Sequence, residues 1–97
     1  MSIPDRHNRA EVPIEPGERD DILRHLGQVV RAHRLRSDLT QEAAAAAIGV
    51  DQSTWSKLEN GRWTPGLLQA IEIIRVVDVP SLEYLFEGTF PSRQRIT

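Results

Sequence analysis

Apolar residues recur at helical spacing in separate stretches of this chain, and capping or turn residues punctuate each stretch. Ile22, Leu26, Val29, Val30 and His33 fall at i, i+4, i+7, i+8 and i+11, one stripe of an amphipathic helix. Glu18, Asp20 and Asp21 suit the positive end of its dipole, so the helix is expected to begin after Pro16-Gly17 and to end near Arg36, where Ser37-Asp38 make a turn. Gly27 inside it reads as a weak point, costing roughly 1 kcal/mol relative to Ala. Leu39 can pack back as a hydrophobic staple before Thr40, a good N-cap. Gln41 to Ile48 are helix formers, with Ala44, Ala45 and Ile48 toward the core and Ala43, Ala46 and Ala47 outward or flanking. Ala45 is small enough for two helices to cross closely. Gly49 supplies the left-handed residue that ends the helix and swings the chain.

Asp51 caps the next helix, which runs to Asn60 and stops at Gly61. Trp55 and Leu58 share one of its faces, and Gln52, Ser53, Ser56 and Lys57 the other. Trp55 is expected to fill volume that Ala44 leaves open. Thr64-Pro65 is a cap followed by a proline, a further helix start, and the stripe Leu67, Leu68, Ile71, Ile74, Val77 runs to about Asp78. Pro80 breaks it, and Ser81 caps a short last helix, Leu82 to Glu87, ended by Gly88. The pattern predicts an all-α fold, a compact five-helix bundle with short loops. Two short helices joined at Gly49, the second with a polar face, read as a helix-turn-helix.

Composition refines this picture. The 97 residues fit one small domain over residues 18–89, preceded by a proline-containing flexible arm (1–17) and followed by a loose tail (90–97). There is no Cys, and His7, His25 and His33 have no ligand spacing. With no nucleophile–base pair, phosphate loop or metal cluster in the sequence, no enzyme activity, metal or cofactor is expected. No apolar run approaches the ~18 residues of a membrane span, so no membrane partner is expected and the location is read as cytoplasmic, nucleoid-associated. The net charge of −2 is unevenly placed. Residues 1–21 hold three Arg and six acids (−3), residues 22–65 six Lys/Arg and four acids (+2), and residues 66–97 three Arg and four acids (−1). The positive charge thus lies on the helix-turn-helix segment. The excess is small, so modest affinity per subunit and dimerisation are expected. Leu82, Tyr84, Leu85, Phe86 and Phe90 form an apolar cluster, part closing the core and part free for a self-complementary two-fold patch.

The segment LGQVVRAHRLRSDLTQEAAAAAIGVDQSTWSKLENGRWTP resembles the Xre/Cro/repressor helix-turn-helix family, which includes the lambdoid phage repressors. Gln41, Ala45, Gly49, Leu58, Glu59, Asn60 and Gly61 carry the likeness, with Trp55 where most relatives have an aliphatic. It extends to SLEYLFEGT and spans residues 26–89. The resemblance implies a lambda-repressor-like DNA-binding domain that binds operator DNA as a homodimer, with Gln52 to Asn60 in the major groove. Gln52, Ser53 and Lys57 sit where relatives read base edges, with Ser56 on the same face. Gln41, Asn60 and Arg62 sit where relatives contact phosphates. Arg34 and Glu59 sit where some phage repressors have a partly buried ion pair, a structural role. The chemistry of the side chains suits these roles. Gln52 can accept and donate at once, matching the N7 and N6 edge of adenine, and Lys57 can donate to guanine or to a phosphate. Trp63 either covers the core or stacks on a sugar, and His33 is given no role. Asp51 replaces a more usual Ser or Thr at the cap, which sets a negative charge near phosphate, and Asp78 occupies a frequent glycine position.

These features point to a sequence-specific DNA-binding transcriptional regulator of bacterial or phage type, a repressor on a palindromic double-stranded operator. One alternative is the antitoxin of a toxin–antitoxin pair, with a toxin as protein partner. Another, favoured by Asp51 and the weak net charge, is a protein-interaction module that has lost DNA binding.

Overall fold

A reciprocal acidic pair opens the first helix in the computed structural model, which describes residues 13–85. Glu15 is the N-cap of α1 (Pro16–Arg36), and its backbone N–H donates to Glu18 Oε1 at 3.4 Å. Pro16 stands at the first helical position, where its missing N–H costs nothing and its ring presets φ. The helix therefore starts at Pro16, inside the stretch expected to be arm. Its end at Arg36 is where the Ser37-Asp38 turn places it. Leu26, Val30 and His33 of the expected stripe are buried, and Ile22 and Val29 half-buried.

The next two helices are fixed by local chemistry. Thr40 Oγ1 accepts from the Ala43 N–H at 3.0 Å to start α2 (Gln41–Ala47), and Asp51 Oδ1 accepts from the Thr54 N–H at 2.9 Å to start α3 (Gln52–Glu59). Between them Gly49 has φ of +75°, and the Val50 N–H reaches back to the Ala45 carbonyl at 3.0 Å. A side chain at Gly49 would meet nothing within 4 Å, so the backbone angle, rather than space, is what calls for glycine there. Ala44, Ala45, Trp55 and Leu58 are all buried in one cluster with Leu26, Val30, Ile48, Ile73, Val77, Val79 and Leu85.

The fourth helix departs from expectation in two ways. It is α4 (Leu67–Val77), capped at Gly66, whose N–H donates to Gln69 Oε1 at 3.0 Å; Thr64-Pro65 lies in the extended connection before it. Trp63, half-buried against the core, anchors that connection. The buried face is Ile73 and Val77, one turn apart, flanked by the half-buried Ala70 and Ile74. Leu67 and Leu68, read as part of the core stripe, are 68% and 74% exposed. The apolar residues of this helix outnumber the places the core offers, and its first turn extends beyond the helices it packs on.

Asp78 ends α4 in the left-handed conformation, φ 60° and ψ 49°. A side chain is strained there, so Asp78→Gly is expected to stabilise the domain by about 0.5–1 kcal/mol, read as a rise of a few degrees in Tm. Ser81 Oγ then accepts from the Tyr84 N–H at 3.1 Å and starts α5 (Leu82–Leu85). Instead of five comparable helices, the described residues hold four of seven residues or more and this single turn. The expected continuation to Glu87 lies outside the described residues, as do Phe86, Phe90 and the expected tail. Leu85 is fully buried, while Tyr84 stays at the surface with its ring edge-on to His33, centroids 5.5 Å apart. Among the described residues no helix is long and apolar enough to cross a membrane.

Candidate nucleic-acid interface

One buried carboxylate organises the helix-turn-helix. Glu59, at the end of α3, receives Arg34 Nε from α1 at 2.5 Å and Arg34 Nη2 at 3.3 Å, a two-pronged pair. Arg34 Nη1 continues to the Leu39 carbonyl at 2.7 Å, which fixes the turn between α1 and α2. Trp55 Nε1 donates to Glu59 Oε2 at 2.6 Å from one turn earlier on α3. Gln41 Nε2, at the first residue of α2, donates to Glu59 Oε1 at 2.9 Å. Arg31 Nη1 stands 3.8 Å away at the rim. Burial pushes the Glu59 carboxyl upward, but the hydrogen bonds from Arg34, Gln41 and Trp55, with the charge of Arg34, outweigh it and hold the group below its ordinary value. It is a satisfied, ionised carboxylate.

The network does not stop inside. Gln52 Nε2, on the exposed first turn of α3, donates to Gln41 Oε1 at 2.7 Å. Gln41, expected at a phosphate, thus spends one N–H on Glu59 and its oxygen on Gln52, leaving a single N–H for an outside partner. Gln52 keeps its own oxygen and one N–H, the acceptor–donor combination its expected role requires. An exposed amide would otherwise sample several rotamers, and this contact sets one of them.

The remaining expected readers have separate settings. Ser53 is exposed and its Oγ donates to Asp51 Oδ1 at 3.1 Å. Hydrogen bonding from Thr54, then from Ser53, holds the Asp51 carboxyl below its ordinary value, and the charge of Lys57 adds to it. Lys57 is exposed and Ser56 half-buried on the same side of the helix. Asn60, exposed, donates one Nδ2–H to the Ser56 carbonyl at 2.8 Å, which closes the end of α3 and leaves its second N–H open. The Arg62 side chain is exposed, and its backbone N–H donates to the Lys57 carbonyl at 2.8 Å. All the expected DNA-facing residues therefore lie on α3, its C-terminal turn and the start of α2.

Residues 25–83 match the family described as Helix-turn-helix domain, more than half of the chain. The chain belongs to that family. A protein of Methanothermobacter thermautotrophicus described as an uncharacterized HTH-type transcriptional regulator is 38% identical over 58 residues, 60% of this chain and 84% of its own length. Among solved structures, the restriction-modification controller protein C.AhdI from Aeromonas hydrophila matches with a TM-score of 0.62 and 25% identity, over 74% of this chain and all of that one.

Within this helix-turn-helix domain, three features escaped the sequence reading. Trp55 is a hydrogen-bond donor to Glu59 as well as a space filler; its i, i+4 spacing from Glu59 was the available signal. Gln41 and Gln52 pair across the turn, signalled by two glutamines at the first positions of consecutive helices. Gly27 is a contact point, since a Cβ built there would stand 2.4 Å from the Glu59 carbonyl oxygen and 2.6 Å from that of Leu58. The backbone of α1 meets the end of α3 there, a second close approach beside the crossing of α2 and α3 expected at Ala45.

Proposed function

We propose that this chain is a sequence-specific DNA-binding regulator, a repressor that sets α3 into the major groove of a palindromic operator as a two-fold homodimer. The Gln41–Gln52 hydrogen bond carries the reading. It orients an exposed amide at the start of α3, where the core has no use for it and a base edge does. Gln52, Ser53, Ser56 and Lys57 then meet bases, and Arg62 with the remaining N–H of Gln41 meets the backbone on either side. Asn60 has one Nδ2–H left for the backbone beside its bond to the Ser56 carbonyl. Gln41 acts on base choice through Gln52 as well as on phosphate. A helix of this length reads too few bases for selectivity alone, so two copies, with recognition helices about 34 Å apart, are part of the proposal. The exposed Tyr84 end supplies one patch for that contact. The interaction-module alternative draws on Asp51, whose charge faces outward at the same helix start, and on the acidic overall balance.

Binding of the purified protein to its own upstream DNA separates these readings. If Lys57 and Arg62 of two subunits neutralise about four phosphates, affinity is expected to fall about 100-fold between 50 and 200 mM salt. Binding that is absent at low salt, or indifferent to salt, would sink the proposal.

A further inference from the structure

We infer that Asp51 sets the base preference of the recognition helix by turning Ser53 into a pure acceptor, so that the pair selects a base carrying an exocyclic amine. This rests on the reading of α3 as the base-reading helix and adds the polarity of what it reads. A serine hydroxyl has one proton to donate, and that of Ser53 is given to Asp51 Oδ1 at 3.1 Å. What Ser53 has left for a ligand is lone pairs. Asp51 Oδ1 accepts both from Ser53 and from the Thr54 N–H at 2.9 Å. The carboxyl is held ionised by the same contacts and is fully exposed.

The face of α3 is therefore graded along its length. Its first turn offers the Asp51 carboxylate and the Ser53 oxygen, both acceptors, beside Gln52, which can do either. A turn further on, Lys57 offers donors only. In the major groove cytosine presents the N4 amine and adenine the N6 amine, whereas guanine and thymine present keto oxygens at the corresponding place. A carboxylate with an acceptor-only serine beside it attracts the first two and repels the second two. A plain capping role for Asp51 would call for the bonds from Thr54 and would leave Ser53 free to donate.

Selection of bound duplexes from a random pool tests the assignment, run with the full chain, Asp51→Asn and Ser53→Ala. Asn caps helices as well as Asp, so Asp51→Asn keeps the fold, checked by its melting curve. The natural chain is expected to enrich cytosine or adenine over guanine and thymine by about tenfold in one column of each half-site. Asp51→Asn and Ser53→Ala are expected to bring that column close to parity while the column governed by Gln52 is kept. A keto base in that column, or a preference that survives Asp51→Asn, overturns the inference and leaves DNA binding standing. No enrichment by any of the proteins, with no binding at low salt, would instead remove the DNA reading on which it rests.

Discussion

Replacing Glu59 with alanine is expected to lower the unfolding free energy by about 3–5 kcal/mol, among the largest effects of any single truncation in this domain. The loss comes from what is left behind. Arg34 keeps a buried guanidinium with only the Leu39 carbonyl to satisfy it, and the Trp55 indole N–H and the Gln41 amide lose their acceptor. Urea unfolding at neutral pH measures the loss directly, and a change below about 1 kcal/mol would refute the role assigned to the carboxylate. The same group gives an acid signature. Its folded value lies below the ordinary 4.5, so its stabilisation is complete above that value and is lost as pH falls through the lower folded one. The natural chain is expected to weaken in that acidic range, and Glu59→Gln to lack this component while being less stable at pH 7.

Gly27→Ala is expected to be the most damaging addition of a single methyl group. The atoms it would strike are backbone carbonyl oxygens of Leu58 and Glu59, which no rotamer change can move aside. Overpacking of flexible side chains typically costs about 1–3 kcal/mol, and this contact should exceed that range. In a domain of this size such a loss is a large fraction of the total. Gly17 in the same helix provides the control, because a Cβ there meets nothing within 4 Å. Gly17→Ala is expected to be neutral or stabilising, by up to about 1 kcal/mol from helix propensity. Thermal melts of the two variants should shift in opposite directions; equal shifts would show that Gly27 is not at a close crossing.

These two positions also mark how far the sequence could be read. The Thr40 and Asp51 caps and the Gly49 turn were legible because their hydrogen bonds close within three to five residues. The boundaries of α2 and α3 follow from them. Gly27 was misjudged because its partner, the end of α3, is distant in sequence, and only packing reveals a backbone against that missing side chain. Trp55 was legible as volume, but its indole N–H has meaning only once Glu59 is seen to be buried. Leu67 and Leu68 have the right period for a core stripe, and period alone does not say how far along α4 the core extends. Thr64-Pro65 carries a valid local start signal that the anchoring of Trp63 overrides. At the interface, residue types and positions were legible. The direction of each hydrogen bond was not: that Gln41 spends one N–H on Glu59 and Asn60 one on the Ser56 carbonyl shows only in the fold.

The Glu59 cluster divides the residues of α3 into those that can vary and those that are inherited. Through Gln41 it reaches Gln52, but it does not reach Ser53 or Lys57. Positions 53 and 57 can be exchanged without disturbing the clamp, so the polar face of α3 can change in small steps. Gln41 and Gln52 are bound to each other by geometry, and a change in one leaves the other misdirected. Change on this face of such a scaffold would therefore proceed around this glutamine pair, which changes together or stays.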